Sequence, residues 1–130
     1  MLSVSNITVE IKKFTILRGL SIDVADGEIV ALVGRNGAGK TTTLQALTGL
    51  LIPDQGELTV AGINMREQPL LAQQQMGYLP DQPPLYGHLS AREHLRLICR
   101  LRGLPKPRWS AAIDAVVERC QLQDRLKQYP

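Results

Sequence analysis

Three observations predict an α/β fold for this 130-residue chain. A short apolar run, Glu28-Ile29-Val30-Ala31-Leu32-Val33, reads as a buried parallel strand. It leads straight into Gly34-Arg35-Asn36-Gly37-Ala38-Gly39-Lys40-Thr41-Thr42, a glycine-rich stretch that fits G-x-x-x-x-G-K-[ST]. Thr42-Thr43-Leu44-Gln45-Ala46-Leu47-Thr48 then reads as a helix with Leu44 and Leu47 on one face and Gly49 at its C-terminal end. Strand, glycine loop and helix form the context that makes this pattern a phosphate-binding P-loop.

The remaining elements follow in order. Residues 2–11 are rich in β-branched side chains and partly alternate, so they read as a strand. Leu20-Ser21-Ile22-Asp23-Val24 alternates and reads as a second strand, and Ala25-Asp26-Gly27 turns the chain toward residue 28. Beyond the loop helix, Pro53-Asp54-Gln55-Gly56 is a turn, and Glu57-Leu58-Thr59-Val60-Ala61 is an alternating strand closed by Gly62. Residues 65–75 are polar and without a decisive period. Met76-Gly77-Tyr78-Leu79-Pro80 reads as a short buried strand. Ser90-Ala91-Arg92-Glu93 is a capping box that opens a helix with Leu95, Ile98 and Leu101 on one face, ended by Gly103 and Pro105. Trp109, Ala112, Ile113, Val116, Val117 and Cys120, at steps of three and four, mark a second helix. There is no internal repeat.

The chemistry of the loop follows from its residue types. Glycines turn the chain tightly and bring backbone N–H groups inward with no Cβ in the way. Those N–H groups and the helix N-terminus make an anion site. Lys40 is a compact cation placed to reach β- and γ-phosphates. The Thr41 hydroxyl is the expected magnesium ligand, and Thr42 supports the α-phosphate side. The loop therefore names a ligand class, nucleoside triphosphate with Mg2+, but no reaction.

Composition narrows the function classes. Hydrophobic residues make up 44% of the chain, which is globular rather than disordered. Fifteen Lys and Arg against twelve Asp and Glu give a net charge of +3. The basic residues are scattered, apart from Arg96, Arg100 and Arg102, which fit a solvated helix face, so no nucleic-acid partner is expected. Cys99 and Cys120 each sit in an apolar helical pattern and read as small core residues. His88 and His94 have no metal-type partners at useful spacing. No secretory or transmembrane run is present, which leaves a cytosolic chain or one carried to a membrane by a partner.

Several of these stretches together resemble the ABC-type ATPases, the nucleotide-binding subunits of ABC transporters. The wording of Gly34–Thr42 is close to that family's loop. Gly49-Leu50-Leu51-Ile52-Pro53-Asp54-Gln55-Gly56 resembles the linker after its helix. Gly77-Tyr78-Leu79-Pro80, followed by Leu85-Tyr86 and a capped helix, resembles its Q-loop entering the helical subdomain. Thirty-three residues precede Gly34, whereas small P-loop kinases and GTPases place the loop almost at the first strand; no Asn-Lys-x-Asp guanine-reading motif appears. The subtype resembles ATPases that serve ABC-2-type exporters.

The resemblance implies a P-loop NTPase with an incomplete RecA-like core, an N-terminal antiparallel β-subdomain and the start of a helical subdomain. Residues 1–27 would be mainly β-subdomain, 28–82 the P-loop core, and 83–130 the helical start, with the 57–61 strand assignable to either of the first two. It implies ATP and Mg2+ as cofactors. Ile11 or Phe14 takes the place of the family's adenine-stacking aromatic, Phe14 covering the β-subdomain core being the other reading. Asp81 replaces the Q-loop glutamine that contacts magnesium and the attacking water, with Gln82 next to it; both carry oxygen donors suited to a hard cation. Pro83-Pro84-Leu85-Tyr86 falls where the family meets the permease.

Three family features are missing from the sequence: an apolar run ending in Asp-Glu, a Leu-Ser-Gly-Gly signature, and a switch histidine. The expectation is therefore an N-terminal portion truncated before signature and Walker B, binding nucleotide without efficient hydrolysis. The complete protein would be an ATPase that couples hydrolysis to transport. It would pair with a transmembrane permease and a second ATPase subunit, peripheral on the inner face of the cell membrane. The alternatives are a soluble non-transport ABC-type ATPase and a truncated non-catalytic nucleotide-binding module.

Overall fold

In the computed structural model, which describes residues 1–130, the first strand β1 spans Leu2–Ile11, as its composition predicts. Its core residues are Val4, Ile7 and Val9. Strict alternation would put Val4 and Ile7 on opposite faces. A register shift between them, with Asn6 at φ +53°, inserts the extra residue that returns Ile7 to the core side. Each such side chain taken from water contributes about 1.5–3 kcal/mol.

Strand β2 runs Phe14–Val24, six residues earlier than the alternation at 20–24 predicts. Ile11 pairs with Phe14, so Lys12-Lys13 is a two-residue hairpin turn with φ +48° and +68°. Positive φ at both central positions is the type I′ geometry that matches strand twist. Lysines carry no signal for it, which is why the turn is invisible in the sequence.

Strand β3, Gln55–Val60, pairs antiparallel with the other edge of β1, and β4, Ile63–Asn64, pairs with β3. The sheet order is β2-β1-β3-β4. Gly56 permits a close crossing: a Cβ there would lie 2.5 Å from the Asn6 carbonyl oxygen. Helix α1, Lys40–Leu47, buries Thr43 and Ala46. The expected Leu44 face is corrected: Leu44 is exposed, while Leu47 packs partly buried against the core. Helix α2, Pro69–Gln74, starts with proline at its first position and buries Ala72, resolving the undecided 65–75 stretch. These helices and the sheet close one core, which includes Val4, Ile7, Val9, Leu17, Leu58 and Met65.

Two predicted strands do not form. Residues 28–33 have no regular structure and pair with no strand, with Ile29 97% and Val33 86% exposed. A parallel strand takes its hydrogen bonds and its cover from neighbours, and no strand of this chain lies beside it. Residues 76–80 are likewise irregular, with Leu79 exposed. The regular sheet is therefore wholly antiparallel.

Residues 1–78 form one compact unit and residues 79–130 another. The second contains α3, Ala91–Leu101, and α4, Trp109–Arg119, with 3-10 turns at Lys106–Arg108 and Gln123–Arg125. The capping box is present: the Ser90 N–H donates to Glu93 Oε2 at 2.8 Å and the Ser90 hydroxyl donates to the same oxygen at 2.6 Å. Cys99, Ile113 and Val117 make the core, with Leu95, Leu104 and Trp109 packed on it. Ile98 and Leu101, predicted to share the core face, are exposed, and so is Cys120. The face that α4 covers is the Leu95–Cys99 row, one residue around the helix from the predicted stripe.

Candidate functional site

The loop from Gly34 to Gly39 is a turn without regular structure that ends on α1. The Ala38 N–H donates to the Arg35 carbonyl at 3.1 Å and tightens its centre. Gly37 and Gly39 have φ of +82° and +94°, which L side chains rarely adopt. Gly39 is also hemmed in: a Cβ there would sit 3.0 Å from Leu17 Cδ2 and 3.5 Å from the Ile16 carbonyl oxygen. The loop thus rests directly on β2 where it enters the helix. Thr43 anchors the first helical turn, its N–H and its hydroxyl both donating to the Gly39 carbonyl at 2.8 and 2.9 Å.

Lys40 turns its ammonium back over the loop. Its Nζ donates to the carbonyl oxygens of Gly34 at 2.7 Å and Arg35 at 2.8 Å. A cation is therefore held above a ring of backbone by bonds that an incoming phosphate oxygen can replace. Thr41 is exposed and Thr42 half-buried at the start of α1. The pieces suit an anion: a glycine, Gly39, where a Cβ would press on Leu17, an amide-lined helix start and one cation turned back over the loop. The exposed Thr41 hydroxyl is an oxygen donor of the kind magnesium takes.

Ile11 and Phe14 face each other across the β1–β2 hairpin beside the Lys12-Lys13 turn. Phe14 is 73% exposed and Ile11 39% exposed. Phe14 therefore does not cover the β-sheet core, and its ring is open to a planar partner.

Asp81 and Gln82 lie in the second unit, exposed, at the start of an irregular stretch. That stretch is clasped to α3. The Tyr86 N–H donates to His94 Nε2 at 2.8 Å, and His94 Nδ1 lies 3.1 Å from the Ser90 carbonyl. A histidine with its proton on Nδ1 satisfies both contacts. The Tyr86 and His94 rings stack with centroids 6.0 Å apart. Sequence spacing left His94 without a role; its clasp on the loop could be found only in three dimensions. Leu85 and Tyr86 remain more than half exposed. At the foot of α3, Glu93 is held below the usual carboxylate range, first by the hydrogen bond from the Ser90 hydroxyl and then by the Ser90 backbone N–H.

A family model described as ABC transporter matches residues 17–130. The chain is 32% identical over 130 residues to the ABC-type transporter ATP-binding protein EcsA of Bacillus subtilis (strain 168), covering all of this chain and 53% of EcsA. It is 42% identical over 87 residues to ATP-binding cassette sub-family A member 7 of Rattus norvegicus, covering 67% of this chain and 4% of that protein. The chain thus spans about half of EcsA, and far less of the large sub-family A protein. Among solved structures, an ATP-binding subunit of an ABC transporter superposes with TM-score 0.88 at 32% identity, over 99% of this chain and 54% of that one. A dimeric post-hydrolysis state of the ATP-binding cassette MJ0796, bound to ADP and Pi, shares the fold with TM-score 0.82 at 21% identity, over 62% of its length.

Proposed function

This chain belongs to the ABC transporter family, and on that premise we propose that it forms the phosphate-gripping part of an ATP-binding subunit whose complete form hydrolyses ATP to drive a membrane permease. The observation that carries this reading is the Lys40 ammonium poised on the Gly34 and Arg35 carbonyls, above a loop whose Gly39, at φ +94° and close to Leu17, disfavours any side chain.

Each residue has a separable part. Backbone N–H groups from Gly34 to Thr42 orient the triphosphate. Lys40 exchanges its two carbonyl partners for β- and γ-phosphate oxygens. The Thr41 hydroxyl would hold the metal; Asp81 and Gln82, in the second unit, are the Q-loop candidates, with oxygen donors of the kind Mg2+ takes. Phe14, with Ile11 at its side, stacks on the adenine. Bound Mg-ATP supplies the phosphoryl group to be transferred and the divalent charge that neutralises it.

The partners follow from the same reading. No helix of this chain is long and apolar enough to cross a membrane. Peripheral attachment through a permease gives the exposed Leu85 and Tyr86 an apolar surface to meet. A second ATPase subunit closes the nucleotide from the other side, as an arrangement in which MJ0796, of the same fold, is dimeric.

Mg-ATP titration of the chain, with Lys40→Ala alongside, tests the site. Binding by the parent chain and at least about tenfold weaker binding by the variant is expected, a loss of about 1.4 kcal/mol or more. Equal affinity in both would remove the P-loop from the argument.

A further inference from the structure

The helical unit carries the positive charge of this protein. Residues 79–130 hold nine Lys and Arg against five Asp and Glu, whereas residues 1–78 hold six against seven. Within that unit the charge is not spread evenly. Arg92 and Arg96, four apart on α3, line one side of a cleft of about 300 Å³. Lys106, in the turn before α4, lines it as well, together with Trp109, Ser110, Ile113 and Asp114. Like charges four apart on a helix repel. None of the three cations is in an ion pair within the chain. Asp114 is the one carboxylate in the lining, and it accepts a hydrogen bond from the Ser110 hydroxyl at 3.3 Å.

Other features hold the cleft in shape. Trp109 is pinned by its indole N–H, which donates to the Leu104 carbonyl at 2.7 Å. Ile113 is buried in the floor. Pro105 and Pro107 flank Lys106 and limit its backbone. The first turn of α4 adds the positive end of a helix dipole to the same rim.

The geometry points to a second anion site, distinct from the Gly34–Thr42 loop, in which Arg92, Arg96 and Lys106 hold a phosphate-bearing ligand against the Trp109 ring. Two guanidinium groups supply planar donor forks that match phosphate oxygens, and the ammonium supplies a third, mobile charge. The cleft is at the small end of ligand sites, which suits a compact phosphate group. That group can be a free phosphate compound or the headgroup of an anionic lipid. Binding would add negative charge to three cations that Asp114 in the lining and Glu93 beside Arg96 balance only in part.

Trp109 is the only tryptophan in the chain, so its emission reports on this cleft alone. The experiment titrates the full chain with inorganic pyrophosphate in one arm. In the other it uses phosphatidate-containing phosphatidylcholine vesicles, with pure phosphatidylcholine as reference. Lys40→Ala is the background, which separates this site from the P-loop. A saturable emission change is expected with at least one probe, weakened about tenfold or more in the Arg92→Gln/Arg96→Gln double variant. It should also weaken with added salt. A response to pyrophosphate assigns a soluble ligand; a response to phosphatidate vesicles alone assigns a lipid headgroup. Lys106→Gln, a single exposed change, is the second variant and should weaken the same response with unaltered helical circular dichroism. No saturable change with either probe, or an equal response in the variants, would overturn the site.

Discussion

Lys40 Nζ donates to the Gly34 carbonyl oxygen at 2.7 Å, closing the phosphate loop on itself across six residues of chain. With the parallel bond to Arg35, the lysine has a structural duty before any nucleotide arrives. Lys40→Ala should therefore loosen the free loop. Hydrogen exchange at the Ala38 amide, bonded to Arg35, should quicken without ligand. The loss of stability should be small, about 0.5–1.5 kcal/mol, since both bonds are exposed. Unchanged exchange at Ala38 would show that the loop holds its shape unaided.

Gly39→Ala should cost about 1–3 kcal/mol in urea unfolding, because it combines φ of +94° with a methyl group 3.0 Å from Leu17. Nucleotide binding should fall with it. Gly77→Ala is the control: no atom lies within 4 Å of the added methyl, and its midpoint should hardly move.

Because Phe14 is exposed, its proposed contact with adenine can be tested apart from phosphate binding. Phe14→Ala should leave stability within about 0.5 kcal/mol of the parent. It should weaken ATP binding while leaving inorganic tripolyphosphate binding as it was. A matched loss for both ligands would place Phe14 outside the adenine contact.

Glu93 makes α3 sensitive to acid. Its folded-state pKa is depressed by the Ser90 hydroxyl and N–H, so its contribution is present above the unfolded value, about 4.3 for glutamate, and is lost as pH falls through the lower folded value. Helical circular dichroism should decline as pH drops below about 4. Glu93→Gln should remove that part of the decline.

Local signals were legible in the sequence. The capping box at Ser90 and Glu93 and the turn of the phosphate loop depend on neighbours within a few residues, and β1 from Leu2 to Ile11 announces itself by its β-branched composition. What eluded the sequence depends on partners elsewhere. The apolar run 28–33 describes the environment a strand wants, not whether a pairing strand lies beside it. On α3 both Ile98 and Cys99 read as core residues; Cys99 is buried, and only the position of α4 shows that Ile98 is not. Arg96 reads as part of a solvated face with Arg100 and Arg102, and all three are exposed; what spacing does not show is that the fold also groups Arg96 with Arg92 and, across the turn, Lys106. Asn6 at the β1 irregularity and Lys12-Lys13 at the hairpin lack the residue types that usually announce such backbone.

That hairpin tip sets stability against charge. Two lysines occupy conformations that Asn-Gly would adopt with less strain, and in return two mobile cations stand immediately before the open ring of Phe14. Substituting Asn-Gly at 12–13 should raise the melting temperature of the chain and lower its attraction for a polyanion approaching the ring. The tip is thus a place where a firmer fold and a stronger attraction for a polyanion are chemically opposed, and the present residues give the charge.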